Sequence, residues 1–247
     1  MLGLSDFSDR LLEIERVRVK ELVPYAVVFP YRKMGQQLSG FSIDSSQGKF
    51  GPFADQIFIG DYTLGVLMRV TTELVNGVWQ GACYPFREGF STGLLANQFG
   101  PKGQLIVGGT NRGWPVRGPK PFALQRLDWT GTVPFEVKEI RVTQEGFQLT
   151  FTKPVALQSG GIQSSYSVEA YTHIYHRGYG SPEVDHSNPL VKEATLSPDG
   201  LTVSLTVEGR VKGHVHDFDL AKIQSRSGET LVHSRAYYTL NEFPLEK

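Results

Sequence analysis

The sequence predicts an all-β protein: a partial β-propeller of about two four-stranded blades, followed by an immunoglobulin- or fibronectin-like β-sandwich. Three observations carry this prediction. Short apolar or aromatic runs such as Gln56–Gly60, Val66–Val70, Gln104–Gly108 and Leu124–Leu127 are punctuated by glycine, proline and asparagine, the pattern of strands between turns. Ser39–Val70 and Ser91–Trp129 share one plan: a small-Gly-apolar strand, a Gly/Pro turn, a Gln-apolar strand, a Gly-centred loop and a strand containing arginine. Their offset of roughly 50 residues fits the period of a propeller blade. From Val133 the texture changes to strands separated by turns such as Gln144-Glu145-Gly146 and Ser197-Pro198-Asp199-Gly200, a spacing that suits a β-sandwich of about 100 residues.

Taken in order, residues 8–22 carry Leu11, Leu12, Ile14, Val17 and Val19 between charges, which predicts a short helix in an N-terminal segment 1–22. The blade repeats occupy 23–131 and the sandwich 132–247. The boundary falls near Gly131-Thr132.

A chain of 247 residues that is 40% hydrophobic can bury a sizeable core. Lysine plus arginine equals aspartate plus glutamate at 25 each, so no global field draws the protein to nucleic acid or an anionic membrane. Residues 1–131 hold 14 basic and 11 acidic side chains and the remainder 11 and 14, so the halves carry +3 and −3. The single cysteine, Cys83, excludes an internal disulfide, a C-x-x-C-H haem attachment and a cysteine zinc site. It reads as a small buried hydrophobe. The N-terminus lacks an apolar core of signal-peptide length, and no window approaches the ~18–20 apolar residues of a membrane span. The expectation is a soluble chain, cytoplasmic as written, or exported if it is a truncated piece of a longer protein.

Five stretches, VVFPYRKMGQQLSG, KFGPFADQIFIGD, NGVWQGACYPFREGFSTG, GGTNRGWPVRGPKPFALQRLDWTGTVPFE and IYHRGYGSPEVD, resemble the C-terminal part of glucose/sorbosone dehydrogenase-like β-propeller proteins, many of them from planctomycete-type bacteria. The resemblance runs from about Val23 to Asn241. It implies a six-bladed propeller that in its quinoprotein members binds pyrroloquinoline quinone and calcium at the axial mouth and oxidises a sugar. Two blades are too few to close that ring. In the family a lysine and an arginine pair hold the quinone carboxylates, and by blade position they correspond to Tyr62-Thr63 and Phe90-Ser91-Thr92 here, which are not basic. Arg87 supplies one cation nearby. The family's catalytic histidine belongs to an early blade, whereas all six histidines here lie beyond residue 170. No catalytic residue transfers, and the chain alone is expected to hold no cofactor.

The candidate ligand-binding residues are Arg87, Arg112, Trp114, Arg117 and Lys120. The last four belong to the loop GGTNRGWPVRGPKP, and between Leu105 and Asp128 the chain has four cations and no acid. A guanidinium beside an indole suits a carboxylate or phosphate with a sugar ring stacked on the aromatic face. The plainer alternative is that Trp114 and the prolines pack a blade edge while the cations stay solvated. Arg87-Glu88 reads as linkage between blades. His214 and His216 share one face of a strand and are weak metal candidates, with Asp217 and Asp219 on the other face. The acids in Ser197–Gly200 and Asp44–Gly48 read as turns rather than calcium loops.

These readings predict a non-catalytic propeller/sandwich module for structural or ligand and partner binding, associating with upstream blades or with another copy of itself. One alternative is a fragment of a quinone-dependent sugar or alcohol oxidoreductase, with Arg87, Arg112 and Arg117 at a site completed by further blades. Another is a carbohydrate-binding sandwich with Tyr171, Tyr175 and Tyr179 as platform.

Overall fold

The computed structural model describes residues 10–19 and 22–245. The protein is all-β, built of antiparallel sheets with no closed barrel among the described residues, an arrangement compatible with a partial propeller plus a β-sandwich. A two-residue strand β1 (Arg10–Leu11) leads into helix α1 (Leu12–Arg18), so the predicted N-terminal helix is one of seven residues. Its expected ends at Ser8 and beyond Val19 reach outside the described residues.

The first repeat copy forms β2 (Leu38–Ile43), β3 (Ile57–Asp61) and β4 (Val66–Val75), and β5 (Val78–Arg87) extends it to a four-stranded meander. The second forms a separate three-stranded meander, β6 (Leu94–Phe99), β7 (Leu105–Thr110) and β8 (Phe122–Leu127). The two pack face to face over Phe50, Phe53, Phe58, Leu67, Phe86, Phe99 and Leu105. Phe50, Phe58 and Phe99 meet edge to face at centroid distances of 5.3–5.6 Å, a geometry that satisfies the ring quadrupoles. Gly40 lets the sheets approach this closely, because a Cβ there would lie 2.6 Å from the Cα of Ala96. Asn97 spans the join, donating to the Gly40 carbonyl and bonding Ser42.

The second half supplies β9 (Val137–Val142), β10 (Gly146–Phe151), a short helix α2 (Leu157–Gly160), β11 (Ser167–Tyr175), β12 (Glu183–Ser187), β13 (Leu190–Leu196), β14 (Thr202–Glu208), β15 (His214–Asp219) and β16 (Arg235–Leu240). One sheet runs β13-β14-β10-β9, and facing it β11, β15 and β16 pair in that order with β12 beside β11. With strands lettered from β9, these are sheets A-B-E-D and C′-C-F-G, the order of an immunoglobulin-type sandwich. Alternation explains the core: Phe147, Leu149 and Phe151 of β10 and Val203, Leu205 and Val207 of β14 face Phe218, Ala236 and Tyr238.

The C-F-G sheet does not stop at residue 131. β16 pairs with β5 at Tyr237↔Cys83, Tyr238↔Ala82 and Thr239↔Gly81, which makes one nine-stranded sheet, β1-β11-β15-β16-β5-β4-β3-β2 with β12 beside β11. Its back is covered by the segment before β2, where Val27, Val28, Phe29 and Met34 pack on Met68, Val70, Cys83, Tyr171, Val215 and Tyr237. The Val28 amide donates to Thr239 Oγ1 at 2.8 Å, and Asn241 Nδ2 donates to the Tyr25 carbonyl at 2.7 Å. Covered on both faces, β15 buries His214, Val215, His216, Asp217 and Phe218 in succession.

Side chains of the first half also bind the outer edge of β9. Arg69, 1% exposed, donates to the Val137 carbonyl at 2.9 Å and to Gln56 Oε1 at 2.7 Å. Gln56 Nε2 donates to the Lys138 carbonyl, and the amides of Ile140 and Val142 donate to Tyr84 Oη and Glu73 Oε1, each at 2.7–2.8 Å. The Arg69 guanidinium lies 4.0 Å from the Phe53 ring centroid and 4.8 Å from that of Tyr84. Burial lowers its pKa to about 10, with Glu136 acting in the opposite direction, so the group stays charged at neutral pH.

Replacing Arg69 by methionine strands the buried Gln56 and Val137 oxygens, at about 1–3 kcal/mol each. Urea unfolding should show Arg69→Met less stable by about 3 kcal/mol or more. A loss within about 0.5 kcal/mol, the range of an ordinary surface substitution, would mean that the clamp contributes nothing.

Candidate functional site

β5 and β16 stay paired over only three residues. Pro85, which has no amide hydrogen for a ladder bond, follows within two residues of the last pair, and the β4–β5 register shifts there, leaving Phe86 as the extra residue on β5. Beyond the last pair, a slot of about 240 Å³ lies against the end of β5 and the start of β4. Its walls are partly apolar, from Met34, Met68, Pro85 and Phe86, and partly charged, from Lys33, Arg87, Glu88 and His233.

Each polar wall residue is held differently. Arg87 closes β5 with its guanidinium 4.6 Å from the Phe86 ring centroid and Nη1 donating to the Phe86 carbonyl at 2.6 Å. Among the described residues no carboxylate pairs with it. His233 Nδ1 lies 2.6 Å from Glu136 Oε1, and Glu136 is 1% exposed. A buried carboxylate on one ring nitrogen fixes the imidazole's orientation, and Nε2 has no partner among the described residues. Lys33 is committed elsewhere: its ammonium is 2.7 Å from Glu183, 3.7 Å from Asp217 and 4.8 Å from the Tyr171 ring centroid. Asp217 is buried with neither oxygen hydrogen-bonded. Burial raises its pKa, while Arg235 and Lys33 lower it.

Of the five ligand-binding candidates, only Arg87 lines this slot. Arg112, Trp114, Arg117 and Lys120 stand on the loop between β7 and β8. That loop is fastened by backbone groups: the Arg117 amide donates to the Thr63 carbonyl, the Lys120 amide to the Ser91 carbonyl, and Tyr62 Oη to the Arg112 carbonyl, all at 2.8–2.9 Å. The loop therefore lies across the β3–β4 turn with its cations outward. Arg112, Arg117 and Lys120 make no ion pair among the described residues, and Trp114 is 49% exposed. Arg126 pairs with Asp128 at 2.7 Å.

His214 and His216 are buried. His214 Nε2 lies 3.2 Å from Asp185, and His216 lies tilted against Phe147, ring centroids 5.4 Å apart, and accepts a hydrogen bond from the Val211 amide. Among the described residues no three His, Cys, Asp or Glu side chains converge to hold a metal. Asp199 and Asp44 bond within their own turns, to Ser197 and Leu201 and to Ser46. Cys83 is buried beside the Val28 carbonyl, and burial pushes its thiol pKa up. The tyrosine platform does not form: Tyr171 is completely buried, whereas Tyr179 is exposed with its hydroxyl on the Gln36 carbonyl.

Tyr62, Phe90 and Thr92, at the places where the resembled family keeps its cations, are buried. Thr63 and Ser91 beside them are half-buried, and none of the five carries the positive charge that would hold a quinone carboxylate. No helix among the described residues is long and apolar enough to cross a membrane. Compared with known proteins, the chain matches no family model, no curated protein and no solved structure.

Burial lowers the His216 pKa from 6.5 to about 3. Between those values the unfolded chain binds the proton and the folded chain does not, so stability falls as pH falls through that window. In urea unfolding, His216→Leu should have a pH slope shallower than wild type by about 1.4 kcal/mol per pH unit near the middle of the window. An unchanged slope would show that the imidazole titrates alike in both states.

Proposed function

We propose that this chain is a non-catalytic binding module, the C-terminal propeller-and-sandwich part of a sorbosone dehydrogenase-like protein, and that its blade-like sheets dock onto further sheets of the same kind. One observation carries the reading: on the edge strands β2 and β8, apolar side chains outside the shared phenylalanine core stay uncovered. On β8, Phe122 and Leu124 are 74% and 78% exposed beside Thr110 and Gly108. On β2, Phe41 and Ile43 are 72% and 54% exposed. Uncovered apolar sheet faces and edges favour association, and a mate that packs as β2–β4 packs on β6–β8 would be another blade or a second copy.

The alternatives have less support. An oxidoreductase site assembled from Arg87, Arg112 and Arg117 needs these cations at one opening, and only Arg87 reaches the slot. A glycan platform loses Tyr171 to the core.

The isolated chain should self-associate at micromolar concentration in light scattering, and Phe122→Asp with Leu124→Asp should shift it to monomer without changing its circular dichroism. A wild-type monomer across that range would refute the docking reading.

A further inference from the structure

We infer that the slot at the end of β5 binds a small organic monocarboxylate with an apolar body. Three features of the slot define the ligand. Its volume of about 240 Å³ equals roughly eight waters' share of liquid and lies below the ~300–1,000 Å³ of pockets for larger ligands. A single-ring or short-chain molecule therefore fills it. Met34, Met68, Pro85 and Phe86 give that body apolar contact, and methionines adapt to its shape.

The head group is set by the charges. Arg87 is the slot's unpaired cation among the described residues, and its contact with Phe86 already holds the guanidinium in one orientation. Its planar fork matches a carboxylate bidentately. His233 lines the same wall with its ring held by Glu136 at Nδ1. Lys33 adds no uncommitted charge, because Glu183 and Asp217 hold it. Glu88 repels a second carboxylate, which selects a monoacid over a diacid by an unfavourable contact with the wrong partner.

The slot's walls include no residue of β2 or β8, so this inference and the docking reading can fail separately. The test is titration of the full chain with benzoate, with benzyl alcohol as an uncharged control of the same body, followed by amide NMR shifts. Benzoate should bind with shifts centred on Met68, Phe86 and His233. Benzyl alcohol should bind about tenfold more weakly or less well still. Arg87→Met should weaken benzoate about tenfold and leave benzyl alcohol unchanged, whereas Glu88→Gln should strengthen benzoate and let phthalate in. Absence of benzoate binding at millimolar concentration, equal binding of acid and alcohol, or an Arg87→Met affinity equal to wild type would each overturn the assignment.

Discussion

The outer edge of β9 is closed by side chains, and the joining of the two halves depends on that closure. An edge strand presents unpaired N–H and C=O groups that must find partners if they are buried. Here Val137, Lys138, Ile140 and Val142 find them in Arg69, Gln56, Tyr84 and Glu73 of the preceding meander. Each bond adds only about 1 kcal/mol net, but leaving any one unmade costs about 1–3. The constraint is therefore asymmetric: the A-B-E-D sheet sits where these four edge groups are answered. Arg69, lying between the phenylalanine core of the meanders and the sandwich core, fixes where one ends and the other begins.

The nine-stranded sheet follows from this placement. With β9 held on the face of β4 and β5, β16 lies beside β5 and continues its ladder. Gln80 reinforces the join: its amide donates to Tyr238 Oη, and its carbonyl accepts the Asn241 and Glu242 amides. The slot lies where this ladder ends. Its Arg87 is the tail of β5, and its His233 is positioned by Glu136, which immediately precedes β9. The candidate site is thus a by-product of the join, built from both halves beyond the last β5–β16 pair.

Residue pattern revealed the class of fold and little of the site. Apolar alternation in β10 and β14, the turn residues and the two-copy plan are local signals, and each reports an element that local physics favours. The contacts that order these elements are long-range and polar. Arg69, Gln56 and Gln80 look like solvent-facing residues of their strands, and nothing within ten residues reveals that β9 or the C-terminus will bury them. His233 and Glu136 stand 97 positions apart and Lys33 and Glu183 stand 150 apart, so no spacing motif marks either pair. Tyr171 misleads for the same reason: an aromatic in an alternating strand is a surface platform or a core residue depending on what covers it, and here the segment before β2 does. The loop cations cluster in sequence and so are legible there, and that cluster stands apart from the slot.

The meanders and the sandwich form one cooperative unit through β9 and β16. Native-state hydrogen exchange tests it most directly. Amides at the β5–β16 junction, Cys83 and Tyr237 among them, should exchange with the same free energy as Phe58 in the meander core and Phe147 in the sandwich core, all through global unfolding. If Phe58 and Phe147 open at separate free energies, with the junction amides exchanging faster than both, the halves are independent and the claim is wrong.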